Sequence, residues 1–352
     1  MTVWITTADC PAVCYNQNSG LIANRDMSFF ASQDGVSPLY YTFDNTDNTS
    51  DVITREKINT LCAPVSAGDI VIVQYPTWVN RDFEHLFITE LLEMPGVKVA
   101  LVLWDVLIWL WDDRDRDFTH DEEFLLMNRC DLIFSPNEKM SARLREDGGV
   151  TTPIISLGLW DYQIEGTINP DKEYRREVTF IGNLRKTDFS SYDGKTIITL
   201  IGDPEGLTET EKAKENLNAV GSYDNNLLPG ILNGGFGLMS YQNKNNVAEK
   251  RFFNGAERYG HYNNPLKLSL YLAAGIPVIV DSHSPHAERI KSDNLGLIID
   301  DINDIDELLD NLTEQDYSEM VKNVGHYAAK LRTGFFTKTA LAKGIKYLTD
   351  TH

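Results

Sequence analysis

The sequence is poor in cysteine, in basic residues and in long apolar runs, and each shortage excludes something. Its four cysteines are Cys10, Cys14, Cys62 and Cys130. Cys10 and Cys14 have no second pair and no neighbouring histidines, so no metal site is expected and all four read as free thiols of a reducing cytoplasm. Lysine and arginine number 32 against 52 aspartates and glutamates, a formal net charge of −20. Phosphate polymers are gripped by clustered Lys and Arg, so no nucleic acid is expected as a partner, and an anionic membrane surface fits equally poorly. The most apolar run, 97–111, is 15 residues long and carries Lys98 and Asp105. A spanning helix needs about 20 apolar residues, so no membrane span is expected. Residues 1–6 have no basic start and no apolar signal core, which argues against secretion and for a cytoplasmic chain. No P-loop, GxGxxG, HExxH or GxSxG motif occurs, nor an activated-cysteine context. The familiar dinucleotide, zinc-protease and hydrolase readings therefore have no support.

What is present is a core and a rhythm. Apolar residues make up 42% of 352, enough for two ordinary domains or one large one. Runs at 3–6, 69–74, 97–104, 131–135 and 153–156 read as buried strands, separated by helical patterns at 56–62, 83–93, 121–128 and 138–146. The polar stretch 166–176 reads as an interdomain linker. The series then restarts with strands at 177–181, 196–201, 236–240, 277–280 and 296–299. Helices follow at 265–274, 285–291, 304–312, 317–331 and 337–348. Such alternation predicts an α/β protein with helix-covered parallel sheets. Two Rossmann-like domains facing a cleft is the economical arrangement. Ligands in these sheets bind beyond the carboxyl ends of strands, so the loops there are searched first. The acidic excess is uneven: 293–319 holds ten acidic residues and no basic one. It need not describe the site.

Three segments of the second half could carry chemistry. In YNNPLKLSLYLAAGIPVIV (262–280), Asn264 suits an N-cap, Pro265 the first helical position and Gly275 the helix end. A helix N-terminus with Lys267 in its first turn suits a diphosphate; an ordinary capped helix with a solvated lysine has the same spacing. In TFIGNLRK (179–186), a strand ends in Gly182-Asn183 with Arg185 and Lys186 behind it. Gly182 allows close backbone approach and the basic pair suits a phosphate, although an exposed turn fits the composition too. In the third, Tyr223 follows a strand and suits a base, ribose or phosphate, while Gly234, Gly235 and Gly237 form no dinucleotide fingerprint.

In the first half, Asn18-Ser19-Gly20 precedes a helical pattern, and Asp105 ends the strongest strand within LWDV (103–106). An apolar surround suits Asp105 to general-base work, and capping the next segment is its plainer role. Residues 112–117, DDRDRD, contain DxD patterns, but the interleaved arginines read as a self-paired surface turn rather than a metal site.

Together these segments resemble the bacterial two-Rossmann (GT-B) glycosyltransferases that add glucose or a related sugar to GlcNAc-modified serine-rich-repeat adhesins, a group with galactofuranosyltransferase-like relatives. The resembling blocks also include QYPTW (74–78), SPNEKMSARLREDG (135–148), LGLWDY (157–162), GSYDNNLLPGILNGGFGLM (221–239) and RTGFFT (332–337). They run through nearly the whole chain in order.

The resemblance implies an acceptor-binding domain over 1–165, a nucleotide-sugar domain over 166–330, and a final helix, 331–352, packing back on the first. It implies a UDP-sugar donor held by Asn183, Arg185, Lys186, Tyr223, Asn263, Asn264, Lys267, Leu268 and Ser269, with Ser19 reaching the diphosphate. Asn18, Gly20, Trp78 and Trp104 would meet a glycan or glycosylated-protein acceptor, and Asp105 would be the base. No metal or other cofactor is implied, because cations and helix N–H groups stabilise the leaving UDP. Relatives of this kind tend to self-associate. Many carry His-Asp where this chain has Trp104-Asp105. A catalytically silent, partner-binding subunit and a two-lobed sugar-binding protein are the rival readings.

Overall fold

Residues 1–10, 18–43, 51–111, 120–170, 172–239 and 256–350 are described by a computed structural model. Cys14 and the 112–117 turn lie outside them. The chain divides into two compact units. One comprises Met1–Ile108, Arg114–Asp161 and Gly334–His352; the other comprises Trp109–Asp113 and Tyr162–Thr333.

Each unit is built on a six-stranded parallel sheet, as the α/β rhythm predicts. The first holds β1 (Val3–Asp9), β2 (Ser37–Thr42), β3 (Ile70–Tyr75), β4 (Lys98–Leu103), β5 (Leu132–Ser135) and β6 (Ile154–Ser156), in the order β2-β1-β3-β4-β5-β6. The second holds β7 (Glu173–Ile181), β8 (Ile198–Ile201), β9 (Leu217–Gly221), β10 (Gly234–Met239), β11 (Val278–Asp281) and β12 (Gly296–Ile299), in the order β12-β11-β10-β7-β8-β9. Central strands such as β3 are buried along their whole length, because helices cover both faces of a parallel sheet and leave no solvated side.

Three departures from the sequence reading share one cause: edge strands and strand starts lack the long apolar run. β2 carries Pro38 and alternates in burial, and β9 is largely exposed. Both are edge strands, and neither reads as a buried run. β7 begins inside the stretch read as a linker. Its charged start is held by ion pairs, Arg176 reaching Asp306 at 3.0 Å and Asp310 at 2.6 Å. Those two aspartates belong to the acidic 293–319 segment. In the same segment Asp304 and Asp316 complete reciprocal helix-capping boxes with Asp301 and Thr313. Part of the acidic excess is therefore structural.

The order of strands locates the crevices. In the first sheet the chain leaves β1 for β2 on one side and returns to β3 on the other. In the second it leaves β7 for β8 and β9, then returns to β10. Such reversals, between β1 and β3 and between β7 and β10, are where α/β sheets receive ligands, at the carboxyl ends of the strands. Among the described residues no helix is long and apolar enough to cross a membrane. Cys62 and Cys130 are buried free thiols, and burial pushes the pKa of each up to about 12.

The helix Phe335–Asp350 belongs to the first unit, where Asp161 caps its start by accepting from Thr337 N at 2.6 Å and Phe336 N at 3.3 Å. Burial lifts the Asp161 carboxyl to about 7 despite those bonds. A carboxyl raised on folding binds its proton more tightly in the native state, so its contribution is complete at low pH and is lost as pH rises through 7. The expected outcome is that Asp161→Asn gains thermal stability relative to the parent as pH rises from 5 to 7, by about 1.4 kcal/mol per pH unit at most, and that the gain levels off by pH 8. Paired melting curves across that range check it.

Candidate active site

On the second unit the site grows from one contact. The helix Leu266–Ala273 lies against β10 at Gly237, where a β-carbon would stand 2.3 Å from the Tyr271 ring. Only glycine lets the helix sit this close. Tyr271 is thereby brought over the end of β7: its hydroxyl accepts from Ile181 N at 2.8 Å and donates to Thr179 O at 3.1 Å. Both Tyr271 and Gly237 are buried. The glycines that form no dinucleotide fingerprint thus include one that serves helix packing.

The same helix sets Lys267 beside Gly182, the residue after β7. Its Nζ lies 4.0 Å from the centre of the Phe180 ring, within cation–π range. A β-carbon on Gly182 would come within 3.0 Å of that nitrogen, so the glycine keeps room for the ammonium. Lys267 is half-buried, and burial draws its pKa down from 10.5 to about 8. Among the described residues no carboxylate forms an ion pair with it.

Asn264 does not cap the helix as its position suggested. Pro265 is the N-cap and no side chain caps it. The Asn264 carbonyl oxygen is taken instead by His286 Nε2 at 2.6 Å, both residues being buried. Asn263 is half-buried beside it. Leu268 and Ser269 turn into the core at 1% exposure, so their offer to a ligand is the backbone of the first turn. Gly275, at φ +83°, ends the helix as expected, with Ile276 N returning to Tyr271 O at 2.9 Å.

Beyond β7 the loop is turned by Asn183, whose side chain accepts from Arg185 N at 2.9 Å. Arg185 pairs with Asp203, the residue two beyond β8, at 2.8 Å, and holds that carboxyl below its usual range. Lys186 is exposed on the same loop. Tyr223 follows β9 and is 41% exposed. It stands two strands from Gly182, a lateral step of about 10 Å.

On the first unit the corresponding rim lies at the ends of β1, β3 and β4. Asn18 caps the helix Ser19–Ser32, accepting from Gly20 N at 2.9 Å; Ser19 is exposed at its first position. A β-carbon on Gly20 would lie 3.5 Å from Trp78 Nε1, so Asn18, Gly20 and Trp78 come together. Trp78 has φ +61°, a left-handed conformation that a bulky residue adopts only under constraint. Asp105 is half-buried just beyond β4, whose end is paired with that of β3, Tyr75 beside Leu103. Trp104 is buried: its indole N–H donates to Gln74 at 3.2 Å and its ring packs on Trp160 at 4.0 Å between centroids. It is 8% exposed. Among the described residues no three His, Cys, Asp or Glu side chains converge as a metal site.

Comparison with known proteins fits both units. Residues 2–159 match the glucosyltransferase 3-like N-terminal domain, and residues 178–344 match the glucosyltransferase 3-like C-terminal domain. The chain belongs to the glucosyltransferase 3-like family. It is 28% identical over 331 residues to glucosyltransferase 3 of Streptococcus gordonii, covering 94% of this chain and 95% of that one. In fold it is similar to a sucrose-phosphate synthase from Thermosynechococcus elongatus, with a TM-score of 0.65, 11% identity, and coverage of 99% of this chain and 100% of that one. It is similar also to Anabaena Alr3699/HepE, solved in complex with UDP, with a TM-score of 0.60, 9% identity, and coverage of 99% and 100%. The two-Rossmann GT-B class is the fold, and this family member is a glycosyltransferase.

Several residues central to this glycosyltransferase's geometry carry no sequence motif. Tyr271 reads only as a core position, although a glycine facing it across the sheet is a usable signal. His286 sits in unremarkable loop sequence and is identified only by its bond to Asn264. Tyr271→Phe leaves the Ile181 N–H without its acceptor in the buried switch region. The expected cost is about 1–3 kcal/mol, read as a lower urea midpoint with an unchanged slope.

Proposed function

We propose that the protein transfers a hexose, glucose or GlcNAc, from a UDP-sugar to a sugar hydroxyl on a GlcNAc-modified serine-rich-repeat glycoprotein. The carrying observation is the half-buried Lys267 ammonium, which stands over Phe180 beside Gly182 at the start of a helix that no side chain caps. A partly desolvated cation beside helix N–H groups favours an anion strongly, because little water competes for either. The leaving group of a UDP-sugar is such an anion. Lys186 and Arg185 add charge on the β7 loop, Asn263, Asn264 and the Leu268–Ser269 backbone border the helix start, and Tyr223 suits the nucleoside. Ser19 is assigned to the diphosphate as well.

In the reaction, the acceptor oxygen forms a bond to the anomeric carbon as that carbon's bond to the diphosphate breaks. UDP leaves with the bonding pair, stabilised by Lys267 and the helix N-terminus, and the hydroxyl proton passes to Asp105. Attack opposite the leaving group inverts the anomeric centre. Asn18, Gly20 and Trp78 would position the acceptor. The local cations serve where other transferases use a metal, so the reading is metal-independent. It places the work in the cytoplasm, where nucleotide sugars are made.

The S. gordonii relative's name supports glucose, and UDP in the Anabaena neighbour supports the nucleotide. The rival reading, a silent partner-binding subunit, draws on Trp104 standing where many relatives carry histidine. Incubation with UDP-glucose, UDP-GlcNAc and UDP-galactose, with and without a GlcNAc-peptide, separates them. Acceptor-dependent UDP release is expected; no release under any condition, with partner binding intact, contradicts the transferase reading.

Lys267→Ala is expected to weaken UDP binding at least about a hundredfold, since it leaves a diphosphate without its principal half-buried cation. In the parent protein, UDP affinity is expected to decline as pH rises through 8, where the free lysine loses its proton. Titration calorimetry from pH 6.5 to 9.5 checks both; a flat profile speaks against Lys267 as the anchor.

A further inference from the structure

The turns that carry Trp78 and Asp105 are pinned from beneath by side chains outside the proposed reaction. Glu84 is 4% exposed. Its Oε1 alone accepts from Thr77 N at 2.7 Å, Thr77 Oγ1 at 3.0 Å and Trp78 N at 3.1 Å. Glu123 uses both oxygens. Oε1 accepts from Leu107 N at 2.8 Å and from the Tyr75 hydroxyl at 3.0 Å, and Oε2 accepts from Ile108 N at 2.8 Å. Leu107 and Ile108 follow Asp105 by two and three residues. Tyr75 is the last residue of β3 and precedes the Trp78 turn by three. One group, the buried Glu84 and Tyr75 with the half-buried Glu123, therefore touches both turns.

We propose that Glu84, Tyr75 and Glu123 act as one positioning cluster, fixing the Trp78 turn relative to the Asp105 turn so that an acceptor sugar meets its base in register. The inference rests on the transferase reading given above. Two observations favour a positioning role over simple packing. Trp78 is held at φ +61°, a conformation that persists only when its surroundings over-determine it, and two of the three Glu84 bonds fix the backbone at Thr77 and Trp78 themselves. The cluster also bears the expense of crowding acids together. Burial lifts the Glu84 carboxyl to about 7 and raises Glu123 and Tyr75 as well, with Arg81 as the cation that eases the last two. Arg81 itself pairs with Glu122 at 2.9 Å. Apolar residues of like size would serve packing with less penalty.

The bonding pattern makes the test asymmetric. Glu84→Gln keeps a carbonyl oxygen where Oε1 stands, and with it all three bonds. Glu123→Gln replaces one of two accepting oxygens with an NH2 group that faces N–H or O–H donors. With UDP-glucose and a GlcNAc-peptide, Glu123→Gln and Glu84→Ala are expected to lower kcat at least about tenfold, while Glu84→Gln keeps about a third or more. UDP affinity is expected to stay within about twofold for all three, which separates this effect from unfolding. Hydrogen exchange on the same proteins is expected to show residues 107–108 losing about tenfold protection in Glu123→Gln, and residues 77–78 in Glu84→Ala. Full transfer by Glu123→Gln, or equal losses for the two Glu84 variants, overturns the proposal. A wild type that transfers no sugar contradicts the parent reading instead, and the exchange pattern then decides whether the cluster holds the two turns.

Discussion

The hydroxyl of Tyr271 reaches the end of β7 because residue 237 has no side chain, and the proposed donor site follows from that contact. The sheet reverses direction between β7 and β10, and a gap opens there in any fold of this class. What this chain adds is a bolt across the gap: one phenol that both accepts from and donates to the β7 backbone. The helix so fixed has its first turn uncapped and its lysine directed to Phe180 and Gly182. Position, charge and dehydration at Lys267 are consequences of one helix-to-strand distance.

The first unit solves the parallel problem with buried polar groups. Gln74 is fully buried, and it links β1 through Thr6, the helix Ser19–Ser32 through Asn24 and Ser28, and β4 through Trp104. The helix that bears Gly20 and the strands that lead to Trp78 and Asp105 are thereby joined by one residue. A fully satisfied polar hub gives a unique arrangement where apolar packing alone would admit several. Gln74 and Tyr75 supply two of the five letters of QYPTW, and their contacts give that block a physical meaning.

Much of the fold was legible in the sequence, and the reasons are uneven. The buried central strands announce themselves as β-branched runs, and 296–299 is found with its ends unchanged. β2 gives no strand signal and β9 only an unbounded strand before Tyr223, because edge strands are half-solvated, and β7 reads short because ion pairs with Asp306 and Asp310 let charged residues join a strand. At the site, Lys267 and Gly182 were visible as a cation and a glycine in the right kinds of segment. Their mutual approach was not, since it depends on Gly237 and Tyr271, far from Gly182 in sequence. Asn264 was misread as a cap because Asn-Pro before a helix favours one, and nothing local reveals that His286 competes for it. Glu84 and Glu123 were invisible for a related reason: a carboxylate's partners here are backbone N–H groups, which every sequence contains.

The net charge of −20 first suggests a protein that avoids anions. The proposed site limits that inference, because local charge and bulk charge differ. Asp301, Asp304, Asp306, Asp310 and Asp316 are engaged in caps and ion pairs, whereas Lys267 stands in a partly dehydrated position among aromatic and helical neighbours. A few focused cations suffice for one diphosphate whatever the bulk charge. The most direct test is a crystal structure of the chain with UDP. The account predicts a phosphate oxygen about 3 Å from Lys267 Nζ, at the start of the Leu266–Ala273 helix beside Gly182. A diphosphate bound elsewhere, with Lys267 still resting on Phe180, would contradict it.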